Sequence, residues 1–199
     1  FMFYSLQKFD LVDIYVVFFT APLIVSLLSA YFLKDILSTK GILLMLLSFG
    51  SIVYSLGPSM RIFSLDLIFP IVPPICWALY QFFTKVVSGD NDPFAAIFYT
   101  SILGAIIFSI FIFFNWVPLE KNIFWLYLVI LGVAGFVSHS LIIYAIQLSN
   151  LSFVTNFQYS QLVWSTIINF LIFGVPFDYN KIVGVIGIIV FGIMFIRTE

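Results

Sequence analysis

The sequence predicts an all-α, polytopic membrane protein, with about seven transmembrane helices preceded by the stump of another. Three observations carry that expectation: the composition, the length of the apolar runs and the character of the breaks between them. Of 199 residues, 63% are hydrophobic and only 9% charged, against about 45–50% and about 25% in a soluble domain. So little charge cannot cover a surface exposed to water, and lipid must cover most of it. Apolar runs at 11–33, 41–56, 67–87, 94–117, 123–148, 151–175 and 182–196 approach the ~20 residues that a helix needs to cross a bilayer core of about 30 Å. The runs are continuous rather than alternating, and a helix satisfies its own backbone in lipid where an open strand cannot. Charges and turn formers collect in the breaks: Lys34-Asp35, Gly57-Pro58, Ser88-Gly89-Asp90, Glu120-Lys121 and Pro176 to Lys181.

Taken in order, the runs differ in what they carry. The first holds Pro22 midway, where a missing backbone donor favours a kink. In the second, Gly41, Ser48, Ser51 and Ser55 form a line of small residues. The last run, equivalent to it in position, carries Gly184, Gly187 and Gly192; small residues let helix backbones approach closely, so both read as packing or dimerisation helices. Pro70, Pro73 and Pro74 crowd the start of the third, whose later residues Trp77, Tyr80, Gln81 and Thr84 share a face. In the fifth run Ser140, Tyr144 and Gln147 share another, with His139 beside them. In the sixth Gln158, Gln161, Ser165 and Asn169 stand at i, i+3, i+7 and i+11. Trp116, Trp125 and several tyrosines fall near run ends, as amphipathic rings do at a membrane interface. The junction at Ser149-Asn150 is the weakest break, a two-residue interruption of a long apolar stretch.

Polar side chains within a span are expensive unless they face protein or a water-filled cavity. The three polar-aromatic faces therefore predict a hydrogen-bonding cavity near the midplane, with Trp77, Tyr80, Gln81, Tyr144, Gln147, Gln158, Gln161, Ser165 and Asn169 as its substrate-binding candidates. The plainer role for the same side chains is interhelical glue, worth about 0.6–2 kcal/mol each. For His139 a structural hydrogen bond is the expectation rather than a proton relay. No catalytic residues, metal ligands or cofactor are expected. One histidine, one cysteine (Cys76) and no acid pair within the spans leave an intramembrane enzyme little to work with. A retinal-binding seven-helix protein would need a lysine inside its last span, and 182–196 has none. A net charge of −1 without a basic block argues against a nucleic-acid partner. The partners expected are the lipid bilayer, a small-molecule substrate and a second copy of the chain in a homodimer. Orientation cannot be read from charge. Lys34, Lys40, Lys85 and Arg197 fall on one side, Lys8, Arg61, Lys121 and Lys181 on the other.

A repeat gives the organisation. Tyr4-Ser5-Leu6-Gln7 recurs as Tyr144-Ala145-Ile146-Gln147, and each copy is followed by a polar junction, a long span, a charged loop and a final span rich in small residues. Five crossings separate the copies. An odd number makes their orientations opposite, which is the inverted-repeat plan of many secondary transporters. Residues 61–199 then form one complete repeat, and 1–60 the C-terminal part of another. By the same reasoning the parent protein should hold ten spans in about 280 residues, with this chain a fragment of it.

Several stretches resemble one family. Phe18 to Asp35 (FFTAPLIVSLLSAYFLKD) is similar to the fourth helix, and the acidic position after it, of the EamA family in the drug/metabolite transporter superfamily. Trp77-Ala78-Leu79-Tyr80-Gln81, with Lys85 and Asp92-Pro93, resembles the start of that family's second repeat, and Tyr99-Thr100-Ser101 with Gly104-Ala105 its next helix. Phe157 to Trp164 (FQYSQLVW), followed by Phe173-Gly174-Val175-Pro176 and Gly184, is similar to its last two helices. The resemblance runs from about Tyr4 to Arg197. It implies ten helices in a 5+5 inverted repeat, cytoplasmic termini and a bacterial or archaeal plasma membrane. It also implies alternating-access transport of a small metabolite, amino-acid-like or nucleoside-like. Asp35 departs from the usual Glu, and Ser48 and Ser51 stand where the family often has glycine. On that resemblance the family's first helices, which contribute to its cavity, would be expected to precede this sequence. An inactive partial transporter is therefore the alternative expectation.

Overall fold

The computed structural model describes residues 5, 8–9, 11–35, 37–57, 68–87, 93–114, 118, 121, 123–174 and 179–199. Tyr4, Leu6, Gln7, Pro58, Arg61, the 88–90 break, Asp92, Trp116, Glu120 and Val175-Pro176, all used above, lie outside them, as do the side chains of Pro93, Asn169 and Phe173. The described elements are helical throughout, and the chain is an all-α, multi-pass membrane protein. The helices are α1 (Leu11–Phe18), α2 (Ala21–Leu28), α3 (Thr39–Leu56), α4 (Ile68–Val87), α5 (Pro93–Phe114), α6 (Ile123–Leu148), α7 (Leu151–Asn156), α8 (Ser160–Phe173) and α9 (Tyr179–Thr198).

Over their described residues all seven predicted runs are largely helical, and among the described residues five stretches are long and apolar enough to cross a bilayer: Ile14–Leu33, Thr39–Leu56, Ile97–Phe114, Ile123–Leu148 and Tyr179–Thr198. The other two differ for visible reasons. The third run forms the continuous helix α4, whose prolines, Trp77, Tyr80 and Gln81 dilute its apolar content. The sixth is divided into α7, a 3-10 turn at Phe157–Tyr159, and α8.

The first run breaks where proline predicts. Pro22 has no N–H for the carbonyl one turn back, so α1 closes at Phe18 and α2 opens at Ala21. The turn between them is tied by Thr20, whose N–H and hydroxyl both donate to the Val17 carbonyl, at 3.0 and 2.6 Å. A π turn at Ser29–Leu33 follows α2 and ends on Lys34 in the left-handed conformation, φ 56°. Pro73 and Pro74, in contrast, lie inside α4 without ending it.

The chain forms two compact units, one of Phe1–Phe82 with Asn150–Glu199, the other of Phe83–Ser149. In the first, α3 packs along α9, and the lines of small residues in these two helices are why. A methyl group on Gly184 would strike Ser55 and the Ser51 carbonyl, and one on Gly187 would strike Ser51. The predicted packing faces thus meet each other. Their far ends are tied as well. Ser38 caps α3 through its hydroxyl, which accepts from the Gly41 N–H at 3.0 Å. Glu199 accepts from the Ser38 hydroxyl and from its N–H, the part that a glutamate three residues into a helix plays in a capping box. Around the pair lies the core: Phe19, Leu37, Leu44, Met45, Ile52, Tyr159, Leu162, Ile188 and Phe195.

The second unit is built differently. In the most apolar 18 residues of each of its long stretches, Ile97–Phe114 and Ile123–Leu148, only 6% of the residues are buried. Helices apolar all round belong against lipid or other apolar protein, not water.

Candidate functional site

The polar face of α4 meets the 3-10 turn within the first unit. A helical segment that tightens from 3.6 to 3.0 residues per turn rotates its side chains, and here Gln158 is carried toward α4. The Trp77 indole N–H donates to Gln158 Oε1 at 3.3 Å, and Gln158 Nε2 donates to Gln81 Oε1 at 2.6 Å. The chain of bonds has one direction, indole to amide to amide. It ends on Gln81 Nε2, a buried donor with no protein partner. Two rings fix the indole: Tyr80 stacks on it with centroids 5.4 Å apart, and Phe18 lies at 6.5 Å. An amide donor left unpaired in a buried site costs about 1–3 kcal/mol. The arrangement holds an unanswered N–H beside an aromatic wall, closed off from solvent in this conformation.

Trp77, Tyr80, Gln81 and Gln158 are therefore brought together. Gln161 is exposed, and no hydrogen bond among the described residues joins it to this chain. The Ser165 hydroxyl donates to the Leu162 carbonyl of its own helix at 3.0 Å. Asn169 lies on α8, its side chain outside the described residues. The single stripe expected from 158 to 169 assumed one uninterrupted helix, and the 3-10 turn separates Gln158 from the rest. Tyr144 and Gln147 belong to the second unit, near the end of α6, the former exposed and the latter half-buried. His139 lies there too, and its Nδ1 is 2.9 Å from the Gly135 carbonyl of its own helix, the structural role expected of it. Ser140 likewise donates to Phe136.

Sequence reasoning missed three groups. Lys85, in the second unit, donates to the carbonyls of Ile146 and Ser149 at 2.6 and 2.8 Å, a cation on the C-terminus of α6. In the first unit Asp35 Oδ2 accepts from the Ser29 hydroxyl at 2.8 Å and the Ser152 N–H at 3.3 Å, an anion on the N-terminus of α7. These two charges account for how a junction as slight as Ser149-Asn150 separates two helices. The third is a buried stripe, Ser152, Thr155, Asn156 and Tyr159. Its i, i+3, i+4, i+7 spacing was available in the sequence, beside the glutamine face that drew attention instead.

Residues 65–198, more than half of the chain, match the EamA-like transporter family. No curated protein matches the chain.

Proposed function

Since the chain belongs to the EamA-like transporter family, we propose that it carries a small neutral or zwitterionic metabolite, amino-acid-like or nucleoside-like, across the plasma membrane of a bacterium or archaeon. The observation that carries the substrate class is the one-directional chain from Trp77 through Gln158 to the unpaired N–H of Gln81. A terminal donor calls for an acceptor, such as a substrate carboxylate or carbonyl, and the Trp77–Tyr80 stack supplies an apolar wall for the rest of the molecule. Among the described residues, Gln158 and Gln81 bond to no charged group, which favours a ligand without large net charge.

The proposed mechanism is alternating access, with one repeat rocking against the other around that site. Residues 61–199 form the whole repeat and 1–60 belong to its inverted partner, with the loops bearing Lys34 and Lys85, and Arg197, on the cytoplasmic side. On this reading the protein is not an enzyme and binds no nucleic acid, and a homodimer is one way its exposed helices are covered.

Counterflow in proteoliposomes tests the reading. Vesicles carrying the protein, preloaded with unlabelled substrate, are challenged with a panel of radiolabelled neutral amino acids and nucleosides. Accumulation of at least one compound above protein-free vesicles is expected. Absence of counterflow for the entire panel, from protein that elutes as a folded species, points instead to an inactive partial transporter.

A further inference from the structure

Two carboxylates tie the proposed repeats together within the first unit, and both do so at the same end of it. Asp35 follows the π turn that closes the span 11–33. Its Oδ2 accepts from the Ser29 hydroxyl of its own repeat at 2.8 Å and from the Ser152 N–H of the other at 3.3 Å. Across the same short loop Ser38 caps α3, and the Glu199 carboxylate at the end of α9 accepts from its N–H at 2.9 Å. The loop is thus moored to the seam of α3 and α9, and Asp35 reaches from it to the first turn of α7. That seam runs antiparallel, with Gly41 against Glu199, Ser51 against Gly187 and Ser55 against Gly184. Helices packed so closely on small residues do not part at one end without losing the contact. A rocking motion therefore opens elsewhere, between the spans that begin at Leu11 and Leu151.

The matching position at the opposite end carries no carboxylate. Backbone landmarks recur at a shift of 140: α1 and α7 open at Leu11 and Leu151, left-handed residues follow the spans at Lys34 and Gly174, and α3 and α9 open at Thr39 and Tyr179. This register supports the proposed inverted repeat. It pairs Asp35 with Val175, whose side chain accepts no hydrogen bond. We propose that Asp35 is a one-sided latch, holding the first repeat to the second at the end that bears Lys34 and Arg197, so that the substrate-free protein rests closed there and open at the other end. The latch rests on the alternating-access reading above. Inverted repeats build their two facing states from equivalent contacts, so a contact made at one end only tips the balance between them. A carboxylate on a helix N-terminus is favoured by the exposed N–H groups and the helix dipole. Made in one state and lost in the other, such a cap favours the first about fivefold. On the proposed orientation the latched end is cytoplasmic, and the resting protein faces outward.

The test is dipolar EPR on the full chain in lipid nanodiscs, without substrate. With Cys76 replaced by serine, nitroxides are placed on cysteines at Lys34 and Asn150, both exposed and on opposite sides of the latch. Asn150 makes no side-chain cap bond to α7, so labelling it removes no such tie. A short distance should dominate, with a minor longer one. Asp35→Ala should raise the ratio of long to short about fivefold, and Asp35→Glu should raise it less. Val175→Asp, which supplies the missing carboxylate at the opposite end, should raise it by a similar factor while leaving Asp35 in place. Two distances whose ratio is the same with Asp35→Ala as without it overturn the latch and leave alternating access standing. A single distance in every variant overturns the latch and counts against alternating access as well. Should Asp35→Ala fail to fold, Val175→Asp decides alone, and an unchanged ratio there overturns the proposal.

Discussion

Gln158 holds two partners at once, accepting from the Trp77 indole and donating to Gln81. Gln158→Leu therefore removes the acceptor that the Trp77 indole uses and leaves the Gln81 amide without a hydrogen-bond partner among the described residues. At about 1–3 kcal/mol for each buried group, thermal unfolding in detergent should show a clear loss of stability. Trp77→Phe removes only the longer bond and keeps a ring against Tyr80, so its cost should stay near 0.5–1.5 kcal/mol. Asp35 is the other residue with a sharp expectation. Asp35→Ala removes the acceptor for Ser29 and for the first turn of α7, and should cost about 0.5–2 kcal/mol, as lost helix caps do. Denaturation of the two proteins side by side measures it, and an unchanged midpoint would show that the contact contributes nothing. Neither role of Asp35 nor that of Lys85 could be read from the sequence. Each charge was visible beside a break, but the helix end it serves lies far along the chain.

Among the elements, α3 and α9 make the closest approach. Gly184→Val places carbon where Ser55 and the Ser51 carbonyl already stand, and overpacking of that kind costs about 1–3 kcal/mol. Gly192→Ala meets open space on the same helix and should leave the melting temperature near that of the unaltered protein. The contrast between two glycines eight residues apart tests the interface without reference to function. The small residues were legible as packing signals from spacing alone. Their partner was not, because a line of Gly and Ser fits any helix with a similar line. The sixth run shows the opposite failure. Its periodicity was read as one stripe from Gln158 to Asn169, and a single 3-10 turn altered the register after Gln158. A turn of three residues leaves no mark in hydrophobic periodicity, and tertiary contacts with Trp77 and Gln81 accompany it here. The break at Pro22, in contrast, follows from covalent chemistry and was predictable from one residue.

For the whole molecule, composition decided the class: with 9% charged residues no other solvent than lipid is available. The helical runs followed from length, and the family from residues 65–198. On the proposed inverted topology, Lys34 and Lys121 lie on opposite faces of the membrane. With Cys76 replaced by serine, a single cysteine at position 34 should react with an impermeant maleimide only from the cytoplasmic side, and one at 121 only from the outside. Labelling of both from the same side would refute that topology. The most direct measurement concerns transport itself. In proteoliposomes, counterflow of whichever neutral amino acid or nucleoside the protein accumulates should fall about tenfold or more with Gln158→Leu and with Gln81→Leu, the loss expected when a substrate acceptor loses its hydrogen-bond donor or that donor loses its support. Both variants must reconstitute to the same protein density as the unaltered chain. Equal counterflow by all three proteins would contradict the assignment of this polar chain to the substrate path.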